Sequence, residues 1–193
     1  SGTFKVLSLS GLDELAQVIQ QSKATQLFVL GEPANGMTAG KVGLVSNSDG
    51  KRQIALCKDH FKPAEHGFFL VDVDDVDVTP ESVIEHLEAF NNVFKGVQWL
   101  RVNSSSSLLK DAEGWEVVRK NKYHLYACAT GLQHVDGMVA EYKAYCEAEG
   151  LHKYVLSKAG SRLTRYPLDI SVYASFKSRK VFEGVGLPAN HST

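Results

Sequence analysis

Residues 68–74, Phe-Phe-Leu-Val-Asp-Val-Asp, hold the clearest chemistry in this chain: an apolar run that ends in paired acids. Strand side chains alternate between faces, so Asp72 and Asp74 share one side while Val71 and Val73 share the other. Their Cα atoms stand roughly 6–7 Å apart in such a strand, which lets both carboxylates reach one divalent ion or a pair of ions. Two carboxylates that close repel, and a hard cation is the usual way to keep both ionised. The same residues also read as a strand end running into an acidic turn through Asp75 and Asp77. Asp75 falls on the opposite face and Asp77 lies past the strand end beside Thr79, so Asp72 and Asp74 are the candidates. A third acid, Asp169, stands alone in the apolar pattern Tyr-Pro-Leu-Asp-Ile-Ser-Val-Tyr of residues 166–173. If buried in a strand it needs a partner, and a metal shared with Asp72 and Asp74 supplies one.

A basic segment lies between the acids. Lys120, Lys122 and His124 alternate onto one face of a strand over 120–126, with Tyr123, Leu125 and Ala127 on the other. Cations and an imidazole make a poor core face and a good platform for nucleotide phosphates. An exposed edge strand protected by lysines has the same pattern. Upstream, the loop Asn103-Ser104-Ser105-Ser106-Ser107 places small hydroxyls, Ser105 and Ser107 among them, where a phosphate or strand backbone is held, and it reads equally as a plain polar loop. Lys158, Arg162 and Arg165 collect in a Gly/Ser-containing loop, and Arg179 and Lys180 sit in a later basic turn. Cys57, His60 and His66 lack both a fourth ligand and zinc-finger spacing, so they read as a surface loop leading into the acidic strand.

The elements that must position these groups follow from periodicity and punctuation. Strands are expected at 4–9, 27–30, 68–74, 98–102 and 120–126, with a short one at 154–156. Residues 41–45 and 52–56 are expected as a hairpin around Asn47 to Gly50, and the Asp169 strand is expected antiparallel to 181–184. Helices are expected near 11–22, with Ser10 and Asp13 as a capping box, and near 80–94, with Thr79 as cap and Pro80 in the first position. A third, near 133–149, carries Val135, Met138, Val139, Tyr142 and Cys146 at helical spacing and stops at Gly150. The fold class is α+β: a mixed or antiparallel central sheet with flanking helices. The chain reads as one domain, 1–193, in two lobes divided near residue 66.

The 193 residues are 44% hydrophobic and 22% charged with a formal net charge of -1, which argues against a surface that binds polyanions everywhere but permits a local basic patch. The three cysteines, an odd number without C-x-x-C spacing, favour free thiols and a reducing compartment. No run approaches the roughly 18 apolar residues of a membrane span, and no signal peptide opens the sequence. Ser1-Gly2 reads as a protease scar, so a longer natural protein is expected.

Taken in order, Asp72-Val73-Asp74, Lys122-Tyr123-His124 and Asp169 in its apolar setting resemble the three motifs of the archaeo-eukaryotic primase superfamily, most closely primase-polymerases of plasmids and phages. The likeness spans roughly residues 68 to 184. It departs at the middle motif, where the family usually has Ser two residues before the His and this chain has Lys122. The resemblance implies an RRM-like catalytic sheet plus an N-terminal strand-rich lobe. It also implies template-directed nucleotidyl transfer on single-stranded DNA, making primers or extending DNA or RNA from NTPs or dNTPs. In that scheme Asp72, Asp74 and Asp169 hold two Mg²⁺ or Mn²⁺ ions about 3.5–4 Å apart. Lys120, Lys122, His124, Arg179 and the hydroxyls of Ser105 and Ser107 bind the nucleotide, and Arg162, Arg165 and Lys180 contact nucleic acid. A helicase partner or domain and the cytoplasm of a bacterial or archaeal host are further implications. Two other classes fit parts of the pattern: a metal-dependent initiator nickase or nuclease, which normally adds a His-hydrophobic-His cluster, and a non-catalytic single-strand-binding module.

Overall fold

The computed structural model describes residues 2–23, 25–48, 53–57, 59–73, 78–104, 108–110, 116–119, 122–173 and 180–181. The strands in chain order are β1 (Gly2–Lys5), β2 (Phe28–Val29), β3 (Glu32–Pro33), β4 (Ala39–Gly43), β5 (Gln53–Ala55), β6 (Phe61–Lys62) and β7 (His66–Val73). They continue as β8 (Leu100–Asn103), β9 (Leu108–Lys110), β10 (Glu116–Arg119), β11 (Tyr123–Thr130), β12 (Lys153–Leu156), β13 (Arg162–Arg165) and β14 (Lys180–Val181). The helices are α1 (Leu12–Gln21), α2 (Pro80–Phe90) and α3 (Val135–Ala148). The class is α+β.

The sheet that carries the chemistry is β7-β11-β8, with β11 in the middle and antiparallel to both neighbours. β7 and β8 are therefore parallel to each other, and α2 is the crossover between them. This is a split β-α-β arrangement followed by β11 and α3. Helix α2 begins where the sequence says it must: the Thr79 hydroxyl accepts from the Ser82 N–H and Pro80 occupies the first turn. Val83 and Leu87 point inward and are buried. On α3 the buried residues are Val135, Tyr142 and Cys146, and Gly150 at φ 66° follows the helix end. One core joins α1 (Leu15, Ala16, Ile19), the three-stranded sheet, α2 and α3. Within it Phe69 stacks on Tyr173 at 5.4 Å and meets Trp99 edge-on.

Several expectations are corrected. Residues 39–43 and 53–55 do not form a hairpin. β4 and β5 pair in parallel, with β1 antiparallel on the other side of β4. A 3-10 turn over Val45–Asn47, closed by the Ser48 hydroxyl on the Leu44 carbonyl, follows β4. Helix α1 is capped at Gly11, and Glu14, one residue later than the expected Asp13, accepts from the Ser10 N–H. The second helix ends at Phe90, and Asn91 caps a separate 3-10 turn, Asn92–Phe94. Residues 162–165, expected as a loop, form β13 and make a hairpin with β12. Residues 166–173 are not a strand: residues 170–173 form a 3-10 turn. Pro167 has no N–H for a ladder, and the Asp169 carboxylate accepts from the Ser171 N–H, a local bond that competes with strand pairing. β14 accordingly pairs with β2, Val181 opposite Phe28, and not with the Asp169 segment.

Candidate functional site

Asp72 sits one residue before the end of β7, directly opposite His124 on β11. The register puts both on one face, and His124 Nε2 lies 3.5 Å from an Asp72 carboxylate oxygen. The side chains are 6% and 15% exposed, so this contact is made largely out of water, where a carboxylate needs a compensating donor or cation. The alternative of an exposed basic edge strand is therefore corrected at His124. β11 is the central strand, not an edge, and it is buried on both faces, with Tyr123, Leu125 and Ala127 on one side and His124 and Tyr126 on the other. The imidazole is a buried cross-strand partner of the acid. Lys122 precedes the strand, half-buried, and its carbonyl accepts from the Ser104 N–H, so the serine run starts beside the Lys-x-His segment.

Asp169 reaches the same region by a route the sequence does not announce. The buried Tyr173 hydroxyl, on the 3-10 turn that Asp169 opens, donates a 2.6 Å bond to the Leu70 carbonyl of β7. Burial pushes this hydroxyl well above the usual tyrosine range, and the negative charges of Asp72 and then Asp169 push it further. Both carboxylates thus bear on one buried phenol. Tyr173 ties the Asp169 turn to β7, a contact that periodicity alone does not show. Its only signal was an aromatic four residues after an isolated Asp.

The remaining candidates divide. Asp74, Lys120, Ser105, Ser107 and Arg179 lie outside the described residues. Arg162 lies on exposed β13, its guanidinium 3.5 Å from the centre of the Tyr154 ring. Arg165 ends the same strand opposite Lys153, and Lys180 is exposed on β14 opposite Val29. These three cations lie on two strand pairs, β12–β13 and β14–β2. His60 is used locally, its Nδ1 accepting from the Ala55 N–H, and Cys57, Cys128 and Cys146 are free thiols. Among the described residues no three His, Cys, Asp or Glu side chains are grouped closely enough to hold a metal. The donors that are described, the Asp72 and Asp169 carboxylates, are hard oxygens of the type that suits Mg²⁺ or Mn²⁺.

No protein-family model matches the chain, and no curated protein or solved structure is significantly similar to it. No helix among the described residues is long and apolar enough to cross a membrane.

Proposed function

We propose that this protein is a primase-polymerase of the archaeo-eukaryotic primase type, transferring nucleotides onto a primer or an initiating nucleotide along a single-stranded DNA template. What supports the reading is one short path between the motifs: the hydroxyl of Tyr173, four residues after Asp169, donates to the carbonyl of Leu70, two residues before Asp72. Asp72 faces His124 across one strand pair, and Tyr173 is under the charge of both Asp72 and Asp169. The split β-α-β order of β7, α2, β8 and β11 is also what an RRM-like catalytic sheet requires.

In this reading Asp72, Asp74 and Asp169 hold the divalent ions, whose chemistry is to activate the attacking 3′-hydroxyl and offset charge on the triphosphate. The chain's own residues do the rest. β7 fixes Asp72, and the Tyr173 bond to Leu70 holds the Asp169 turn against the strand edge. His124 restrains the Asp72 carboxylate and, with Lys120, Lys122 and Arg179, presents positive or donor groups to the phosphates. Ser105 and Ser107 add hydroxyl donors, while Arg162, Arg165 and Lys180 contact the template. A cytoplasmic setting and a helicase partner belong to the same proposal.

The test is incubation with a primed and an unprimed single-stranded template, Mg²⁺ or Mn²⁺, and labelled NTPs or dNTPs. Template-dependent extension supports the proposal. Cleavage of the strand points instead to a nickase, and binding without either reaction points to a non-catalytic module.

A further inference from the structure

A groove of about 500 Å³ separates the start of α2 from the β12–β13 hairpin, with Ser82 and His86 on one wall and His152, Lys153, Arg165 and Tyr166 on the other. Its size falls within the range of about 300–1,000 Å³ usual for small-molecule sites. The charged residues that line it, Lys153 and Arg165, are both basic. Lys153 and Arg165 are direct cross-strand partners and both are exposed. Like charges directly opposite each other destabilise a strand pair, and residues 151–168 contain no Asp or Glu to offset Lys153, Lys158, Arg162 and Arg165. A nearby acid, Glu147, already accepts from the Tyr166 hydroxyl at 2.9 Å.

The groove also holds an unmet polar atom. His152 Nε2 contacts the Tyr154 hydroxyl at 3.2 Å, while its Nδ1 is closed off from solvent with no hydrogen-bond partner. A buried polar nitrogen left in this state is costly. On the opposite wall, His86 Nε2 is fixed 2.7 Å from the Tyr142 hydroxyl, which sets the ring's orientation. The Ser82 hydroxyl is already committed, donating to the Thr79 carbonyl at 2.9 Å, so an ammonium and a guanidinium beside two imidazoles are what the groove offers a tetrahedral oxyanion.

We propose that this groove is a phosphate-binding site, with Arg165 and Lys153 supplying the charge and the His152 ring standing beside them. It lies on the other side of β11 from the Asp72–His124 pair: Tyr123, which points away from the His124 face, donates to the carbonyl of Val78 on the groove wall, while Leu168 on that wall directly precedes Asp169. The ligand is either a free phosphate or mononucleotide, or a phosphodiester of a single strand lying along the hairpin. The inference shares Arg165 with the proposed template contact and rests on that reading only for the choice of an oligonucleotide probe.

The test is an NMR titration of the full chain in a chelator, following the His152 ring resonances. The probes are inorganic phosphate, thymidine 5′-monophosphate and a short oligothymidylate. The His152 signals are expected to shift and saturate. K153A and R165A should each weaken binding about tenfold, the loss of one charge-assisted hydrogen bond. K95A serves as a control on an exposed lysine outside the groove, and amide spectra verify that each variant is folded. Saturation by all three probes assigns a free-phosphate site, and saturation by the oligonucleotide alone assigns a strand-backbone site. Either result upholds the proposal. No shift with any probe, or unchanged affinity in both variants, overturns it. With no divalent ion and no synthesis read, failure here leaves the nucleotidyl-transfer reading untouched, and loss of synthesis leaves the groove untouched.

Discussion

Replacing Tyr173 with Phe removes one oxygen and tests how the Asp169 turn is held. The Tyr173 hydroxyl is buried and donates to the Leu70 carbonyl at 2.6 Å, while its ring stacks on Phe69 at an interplanar angle of 11°. Phenylalanine keeps the stacking and the volume, so the loss is confined to the hydrogen bond and the partner it leaves unsatisfied. That costs about 1–3 kcal/mol. Tyr173→Ala also deletes a buried ring and should cost about 3–5 kcal/mol. With a urea slope of about 2 kcal/mol/M, Y173F lowers the unfolding midpoint by roughly 0.5–1.5 M. Tyr154→Phe is the control: that ring is 54% exposed, and its midpoint should move by no more than about 0.5 kcal/mol equivalent. In the Y173F variant the Asp169 turn is less firmly docked, so under the proposed function metal-dependent synthesis should fall along with stability. A Y173F midpoint indistinguishable from that of Y154F would show that the turn is not anchored through this bond.

Two further predictions concern the helices. His86 is partly buried and burial holds its pKa below the ordinary value of 6.5. The unfolded chain therefore takes up this proton first as pH falls, so the contribution of His86 is complete above about pH 6.5 and is lost as pH drops through the folded value. Urea midpoints measured across that window should decline toward acid, and His86→Leu should flatten part of the decline. Thr79→Ala removes the hydroxyl that accepts from the Ser82 N–H at 3.2 Å and should cost about 1 kcal/mol in thermal or chemical unfolding.

The parts of the fold written in local chemistry were legible in the sequence. Thr79-Pro80 marks a helix start by capping and by proline's fixed φ, and the apolar run before Asp72 marks a buried strand, because both signals lie within a few residues. The Asp72–Asp74 pair stood out for the same reason. What failed was pairing at a distance. Nothing within 39–55 distinguishes an antiparallel from a parallel pairing of β4 and β5. The Asp169 segment has the hydrophobicity of a strand, yet one side-chain bond to Ser171 and a proline turn it into a 3-10 turn. The burial of His124 was not legible because a polar residue on a central strand looks like one on an exposed edge until its partner, Asp72, is known.

The central claim is that Asp72 and its neighbours are catalytic acids, not the end of an acidic turn. The most direct measurement compares the wild-type chain with D72A/D74A and with D169A for template-dependent incorporation of labelled nucleotides in Mg²⁺ and in Mn²⁺, with unfolding curves confirming that each variant is folded. The account predicts incorporation by the wild type and none by the variants. Incorporation retained by folded D72A/D74A would contradict it.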